Sequence, residues 1–435
     1  MIPIVSRRQI LINGACLLFL VICAFYGVRN WKTKMSIDYY QFWITGQAVS
    51  SMELTNIYSR DQRALIRQEF LNRARATEPP TKGTRIVQQR SLNLAGTPFL
   101  YSVFYLFSSG QYALDYEVFR LLSLFAFMGA IAYLCLFLEF TLGVAFLAPI
   151  FFTVCFWPFK LDVRIANVNQ LQVGMMALFI FFQTKWNKSA ANYLSGALLG
   201  FYFLFKPTLV YATGFLFLSW ILAGRTKLFF RALAGAIVAV LISLLLPILL
   251  FGSACSWLSW WKGFKEIVFI NHYFSQSLLG ILFNIRNESA HSFFGLFIFG
   301  FTLFLLKRMN GTPRFQSDLF VRMPFPLQDY FMYSLGIIVY ILTGPLVHKH
   351  YFVLMVPPLL FMLRPFLPRH GFRSYWTPRH FWGLVALTMI SAWLRPNFWT
   401  YKGTFEWSYA GTLILFALSI WEILLPRLSN TPSTH

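Results

Sequence analysis

The sequence predicts an all-α polytopic membrane protein, a bundle of about twelve transmembrane helices with a long first extracytoplasmic loop. Three observations carry that expectation. Of the 435 residues 57% are hydrophobic and only 12% are charged, where a soluble domain carries roughly a quarter. The hydrophobic residues gather into segments near the span length of about 20. The Lys and Arg lie mostly between those segments, so the net charge of +22 reads as a topology signal, and no nucleic-acid partner is expected.

In chain order, Arg7 and Arg8 precede an apolar segment at 9–28. It is similar to a secretory signal but lacks a clear small-residue cleavage site, and is expected to stay as a first span. Further spans are expected near 116–139, 142–159, 170–183, 191–205, 208–223, 230–251, 292–306, 326–343, 351–363, 381–393 and 410–425. Alternation from a cytoplasmic N-terminus puts Lys185 and Lys188, then Arg225, Lys227 and Arg231, then Lys307, Arg308, Arg314 and Arg322, then Arg364, Arg369, Arg373 and Arg379 into short cytoplasmic loops. The positive-inside rule is satisfied at each. The Arg-rich stretch 29–97 falls outside, but exceeds the roughly 60 residues over which loop charge sets orientation. Residues 98–107 are too few to cross and are expected to be re-entrant or interfacial.

Residues 1–435 are expected to form a single integral-membrane domain embedded in the lipid bilayer. No internal repeat marks an inverted-repeat transporter. Cys16, Cys23, Cys135 and Cys155 lie inside apolar segments and Cys255 at the end of one, which implies neither a disulfide framework nor a zinc site.

The same alternation gathers the conspicuous polar residues on the outer side: Asp38, Tyr101, Asp162, Arg164, Asn167, Asn169, Gln170, Lys206, Asn271, His272, Gln276, Arg286, His348, Lys349 and His350. Polar span ends are ordinary, and a lysine there can simply snorkel. Their concentration on the face opposite the topogenic charges is not required for orientation.

An enzyme acting there on a lipid-linked substrate needs a base for an incoming hydroxyl, cations for a phosphate leaving group and an apolar groove. Asp38, in the aromatic run Ile37-Asp38-Tyr39-Tyr40-Gln41-Phe42-Trp43, is the candidate base, although an Asp before a helical run is usually only a cap. Lys206, Arg164, Arg286 and His350 are candidates for the phosphate. Pro207 breaks the helix after Lys206 and fixes that lysine at a boundary. His348 and His350 stand two apart, but no carboxylate lies nearby in sequence, so no metal is expected. A Gly-rich phosphate loop, a Gly-x-Ser-x-Gly elbow and a His-Glu-x-x-His helix are all missing, and no nucleotide or other cofactor is implied.

Five blocks then stand in a familiar order: Asp38 to Trp43; Thr97-Pro98-Phe99-Leu100-Tyr101; Ala166-Asn167-Val168-Asn169; Lys206-Pro207; and Gly344 to His350. Gln276-Ser277-Leu278, with Arg286 after it, looks like a sixth. With them the chain resembles the GT-C superfamily of integral-membrane glycosyltransferases, and within it glycosyltransferase family 87, whose members use polyprenyl-phosphate-mannose. The resemblance implies Asp38 as catalytic base of an inverting transfer, with Tyr39, Tyr101, Asn167, Asn169, Lys206, Gln276, Arg286, His348 and His350 about the substrates. It places His350 near the donor phosphate. It implies a polyprenyl-phosphate-linked donor, a glycolipid or glycan acceptor, and a multi-pass protein of the plasma (inner) membrane whose site opens on the extracytoplasmic face. The family's Gly-Gln-Val-Asn reads Ala166-Asn167-Val168-Asn169 here; its Trp before the histidines is His348, and its second adjacent histidine is Tyr351.

The main alternative is a transporter or flippase of lipid-linked sugars or small solutes, for which ionisable residues at mid-span would be expected. An envelope polysaccharide polymerase or ligase would be expected to carry its large loop late in the chain, whereas the long loop here is the first.

Overall fold

The computed structural model describes residues 37–76, 92, 94–185, 188–271, 293, 296–298, 300–302, 304, 324–344, 347–364, 378–391 and 401–424. Every regular element among them is helical. The segment expected to span at 9–28, most of that at 292–306, and the residues Gln276 and Arg286 lie outside the described residues.

The long stretch before the bundle contains helices of its own: α1 (Ile37–Ser51), α2 (Arg60–Arg75) and, directly after it, α3 (Pro98–Leu106). Ser59 and Thr97 start the last two by accepting the Gln62 and Leu100 N–H groups, which would otherwise be orphaned at a helix N-terminus. Nine residues reach only about 14 Å, so α3 cannot cross a hydrocarbon core of about 30 Å. The inner faces of these helices form an aromatic layer with the start of α4 (Tyr112–Phe137). In that layer Tyr39 stacks on Phe119 at 4.8 Å between centroids, and Trp43 Nε1 donates to Asp115 at 3.0 Å, so α1 is pinned to α4.

The remaining described helices are α5 (Leu142–Val154), α6 (Trp157–Ile165), α7 (Asn169–Lys185), α8 (Lys188–Phe205), α9 (Val210–Leu222), α10 (Thr226–Phe251), α11 (Trp257–Asn271), α12 (Phe325–Thr343), α13 (Val356–Leu363), α14 (Pro378–Ser391) and α15 (Tyr401–Leu424). At the centre stands α12, which buries every residue from Gln328 to Thr343, as a helix apolar all round must. Against it pack α7, α9, α13 and α15.

Among the described residues three helices are long and apolar enough to cross a membrane: α4, α10 with the turn after it, and α12. The pair α5 and α6, bent by 61°, would make a fourth. The single span expected at 142–159 is therefore two helices, and Pro158 is the reason. Its ring would clash with the carbonyl of Val154 four residues back, so α5 stops there and α6 opens with the proline in its first turn. The segments expected at 191–205, 208–223, 351–363 and 410–425 are apolar helical stretches below that length.

Close packing of α8 on α10 depends on small residues. A Cβ at Gly196 would overlap the Ala232 carbonyl, and one at Gly235 the Tyr193 carbonyl, so the two backbones touch where side chains would hold them apart. At one end of the bundle Arg225, just before α10, makes a two-pronged pair with Asp329 of α12 at 2.8 and 3.1 Å. Trp220 Nε1 donates to the same carboxylate at 2.8 Å. The chain leaves α12 at Gly344, about 22 Å further along the axis at a rise of 1.5 Å per residue. At that far end the polar residues singled out by the sequence collect.

Candidate active site

Three helix interruptions build the site, and each follows from its local sequence. Pro207 ends α8, because its ring clashes with the preceding turn and forces the residue before it out of the helical region. Lys206 accordingly adopts φ −154° and ψ 112°. The exposed carbonyls of that helix end are taken by Thr97, whose hydroxyl donates to the Leu204 oxygen at 2.6 Å while capping α3. One threonine thus ties the start of α3 to the residues just before Lys206.

The second interruption lies between α6 and α7. Ala166 stands in the left-handed region at φ 57°, with its N–H bonded to the Asp162 carbonyl at 2.7 Å. A non-glycine residue there costs about 1–2 kcal/mol, strain the surrounding contacts must offset. The turn it makes points Asn167 and Asn169 the same way, toward Lys206. The third interruption follows α12, where His348 is extended and Lys349–Met355 form a 3-10 turn that brings His350 to the group.

The side chains meet as a chain of hydrogen bonds. Lys206 Nζ donates to Asn167 Oδ1 at 2.5 Å and to Asn169 Oδ1 at 2.6 Å. Asn167 Nδ2 donates to Asp38 Oδ2 at 2.5 Å and lies 3.4 Å from His350 Nε2. Asn169 Nδ2 donates to Asp162 Oδ1 at 2.8 Å and to the His350 carbonyl at 3.3 Å. Gln170 Nε2 donates to the other Asp162 oxygen at 3.1 Å. The third direction of the ammonium faces the Tyr351 ring, whose centroid is 4.3 Å away, within cation–π range.

Charge and burial divide these groups into roles. Asp38 and Lys206 are half-buried, while Asn167, Asn169, Asp162 and His350 are buried. Burial pulls the Lys206 ammonium down to about 8, against the opposing pull of Asp162 and Asp38, so it still carries its proton at neutral pH. Burial, with Lys206 beside it, lowers His348 to about 4. His350 is pushed well below the usual range by burial first and then by His348 and Lys206. Both rings are neutral and stack at 5.6 Å, so they offer hydrogen bonds and not charge. Among the described residues no group of three or more His, Cys, Asp or Glu is placed to hold a metal.

Of the residues named from sequence, Asp38, Asn167, Asn169, Lys206, His348 and His350 are brought together. Tyr39 and Tyr101 are placed in the aromatic layer: Tyr39 against Phe104, Tyr116 and Phe119, and Tyr101 fully buried with its hydroxyl accepting the Gly96 N–H at 3.0 Å. Arg164 is exposed on the last turn of α6. Two partners, Asp162 and Tyr351, enter the cluster without having been singled out for it. Asp162 stood in the outer polar set, but nothing in its spacing from Asn169 announced that a left-handed residue folds the two together.

Fold and site define a helical, membrane-type protein with a carboxylate and an ammonium held on one amide at the end of a bundle. The chain belongs to glycosyltransferase family 87, whose family model matches residues 96–317, just over half of its length. No curated protein and no solved structure matches it. Asn167, Asn169 and Lys206 fall inside the matched region, whereas Asp38 and His350 fall on either side of it. The left-handed φ at Ala166 gives a physical reason for the glycine that the family's pattern carries at that position.

Proposed function

We propose that this glycosyltransferase moves a hexose, mannose by the family resemblance, from a polyprenyl-phosphate-linked donor to a glycolipid or glycan acceptor. The reaction takes place at the extracytoplasmic face of the plasma (inner) membrane and inverts the anomeric centre. Asp38 accepts the proton of an acceptor hydroxyl as its oxygen attacks the anomeric carbon. The bond from that carbon to the phosphate oxygen breaks, and polyprenyl phosphate leaves with the electron pair. Lys206 supplies positive charge one amide away from Asp38, and His350 and Arg286 serve the departing phosphate. Asn167 keeps the ammonium from pairing directly with the base, which leaves the carboxylate available for a proton. Gln276 and His348 contribute to substrate binding. The shorter apolar helices, paired end to end or with the bilayer thinned about them, bring the crossings to about twelve.

The observation that carries this reading is the Asp38–Asn167–Lys206 linkage, in which a potential proton acceptor and a cation share one polarised amide. The purified full chain, incubated with polyprenyl-phosphate-mannose and a membrane glycolipid extract, is expected to yield a product heavier by one hexose. Asp38→Asn is expected to reduce that product by about 10² to 10⁴ with unchanged expression and detergent behaviour. A fully active Asp38→Asn protein would remove the base from the mechanism, and movement of intact donor across proteoliposomes without any product would favour a flippase.

A further inference from the structure

The carboxylate of Asp162 is absent from the chemistry above, yet it is completely buried beneath the same cluster. Its two oxygens accept from different amides, Asn169 at 2.8 Å and Gln170 at 3.1 Å. Lys206 therefore stands at the middle of a symmetric chain, Asp38–Asn167–Lys206–Asn169–Asp162. An ammonium has only protons to give, so each asparagine must turn its oxygen to Lys206 and its NH2 away. Each NH2 then meets a carboxylate, half-buried at one end and fully buried at the other. A buried carboxylate without a compensating partner costs several kcal/mol. Here the two amides and the ammonium beyond Asn169 offset part of that cost, while burial still holds Asp162 above the usual carboxylate range.

We propose that Asp162 is a positioning residue of the transfer site: through Asn169 it holds the Lys206 ammonium midway between two carboxylates, and so holds the Asn167 amide that serves Asp38. This deepens the proposed function, on which it rests for the role of Asp38 as base. With Asp162 present, Lys206 is drawn toward Asn169 as well as Asn167, and its position is set from both sides. With Asp162 neutral, the pull toward Asn169 weakens and the ammonium loses one of its two opposing negative charges. The charged and titratable groups facing Lys206 are Asp38 from α1, Asp162 from α6, and His348, His350 and Tyr351 from the segment after α12. Removal of the buried carboxylate favours the unprotonated amine, which moves its titration to lower pH.

The test uses the full chain in detergent and two readouts. The first is the pH dependence of Lys206 acetylation by acetic anhydride, followed by peptide mass spectrometry, which needs no substrate. The second is the rate of hexose transfer against pH. In Asp162→Asn, Lys206 is expected to become reactive at lower pH than in the native protein. The alkaline fall in kcat is expected to move the same way, and kcat to drop about tenfold to a hundredfold with little change in acceptor KM. Should that variant not fold, Asp162→Ser removes the same charge with a smaller polar side chain, and the same two shifts are expected. Native Lys206 titration and a native pH profile in whichever variant folds would overturn the role of Asp162. An active Asp38→Asn protein would instead overturn the base, and the acetylation profile would still read the effect of Asp162.

Discussion

Asn167 Nδ2 donates to Asp38 Oδ2 at 2.5 Å, joining two residues 129 positions apart in the sequence. The amide cannot be reversed. Its oxygen already accepts Lys206 and the Val168 N–H at 2.7 Å, both of which can only donate. Asn167 thus separates a carboxylate from an ammonium while orienting both. Replacing it with Ala is expected to let Asp38 and Lys206 pair directly, and to lower kcat about a hundredfold with a smaller effect on acceptor KM. Steady-state kinetics check this; a native rate would show that the amide is dispensable.

The pH profile should report Lys206. Burial lowers its titration to about 8, so the ammonium is present at neutral pH and is lost as pH rises through that value. Loss of the proton removes the positive charge that polarises both asparagines, and transfer is expected to fall on the alkaline side near pH 8. Lys206→Met should run slowly at every pH and show no such limb in a plot of log kcat. His348, held near 4 by burial and Lys206, adds no charge change between pH 6 and 8.

Backbone strain at Ala166 gives a prediction of opposite signs. Glycine tolerates its φ of 57° without a Cβ penalty, so Ala166→Gly is expected to fold normally and to gain up to about 1 kcal/mol of stability. A β-branched side chain tolerates that φ least, and Ala166→Val is expected to lose activity by misplacing Asn167 and Asn169 together. Thermal unfolding in detergent and transfer rates, measured on both variants, separate strain from chemistry.

The contact of α8 with α10 should be intolerant of bulk. Gly196→Val would drive a side chain into the Ala232 backbone, at a cost of about 1–3 kcal/mol for an overpacked interface. Since α8 ends at Lys206, a shift of that helix is expected to slow transfer as well as to lower the melting temperature. A variant equally stable and active would mean that the two helices can separate without consequence.

Far from the site, Arg225 and Asp329 provide a control. Asp329→Leu strands a mostly buried guanidinium and is expected to cost about 3 kcal/mol. Joint replacement of Arg225 and Asp329 by Leu should restore much of that loss, because both charges go together. Stability of the two variants in detergent is the measurement, and if the single change is harmless the pair is not a structural pin.

Composition, segment lengths and proline positions determined much of this protein before any folding is considered. Unbroken apolar segments near the length of a span must be helical where they meet lipid, since only a helix satisfies every backbone group within one segment. Pro207 ends α8 at Lys206 by sterics alone, and Thr97 before Pro98 marks a helix start. Asp38, Asn167, Asn169, Lys206 and His350 were legible as a polar set because polar residues beside apolar walls are conspicuous. Segment length alone hid that 142–159 is two helices, since residues 155–159 stay apolar across the break; Pro158 was the one visible sign of it. The sequence could not turn Tyr39 and Tyr101 into the aromatic layer, a choice made by rings contributed from α1, α3 and α4 together. The alternation of acid, amide, ammonium, amide and acid was decided only by tertiary structure: its five members come from three separate stretches of chain, and hydrogen bonds of such short range exist only once packing has brought those stretches together.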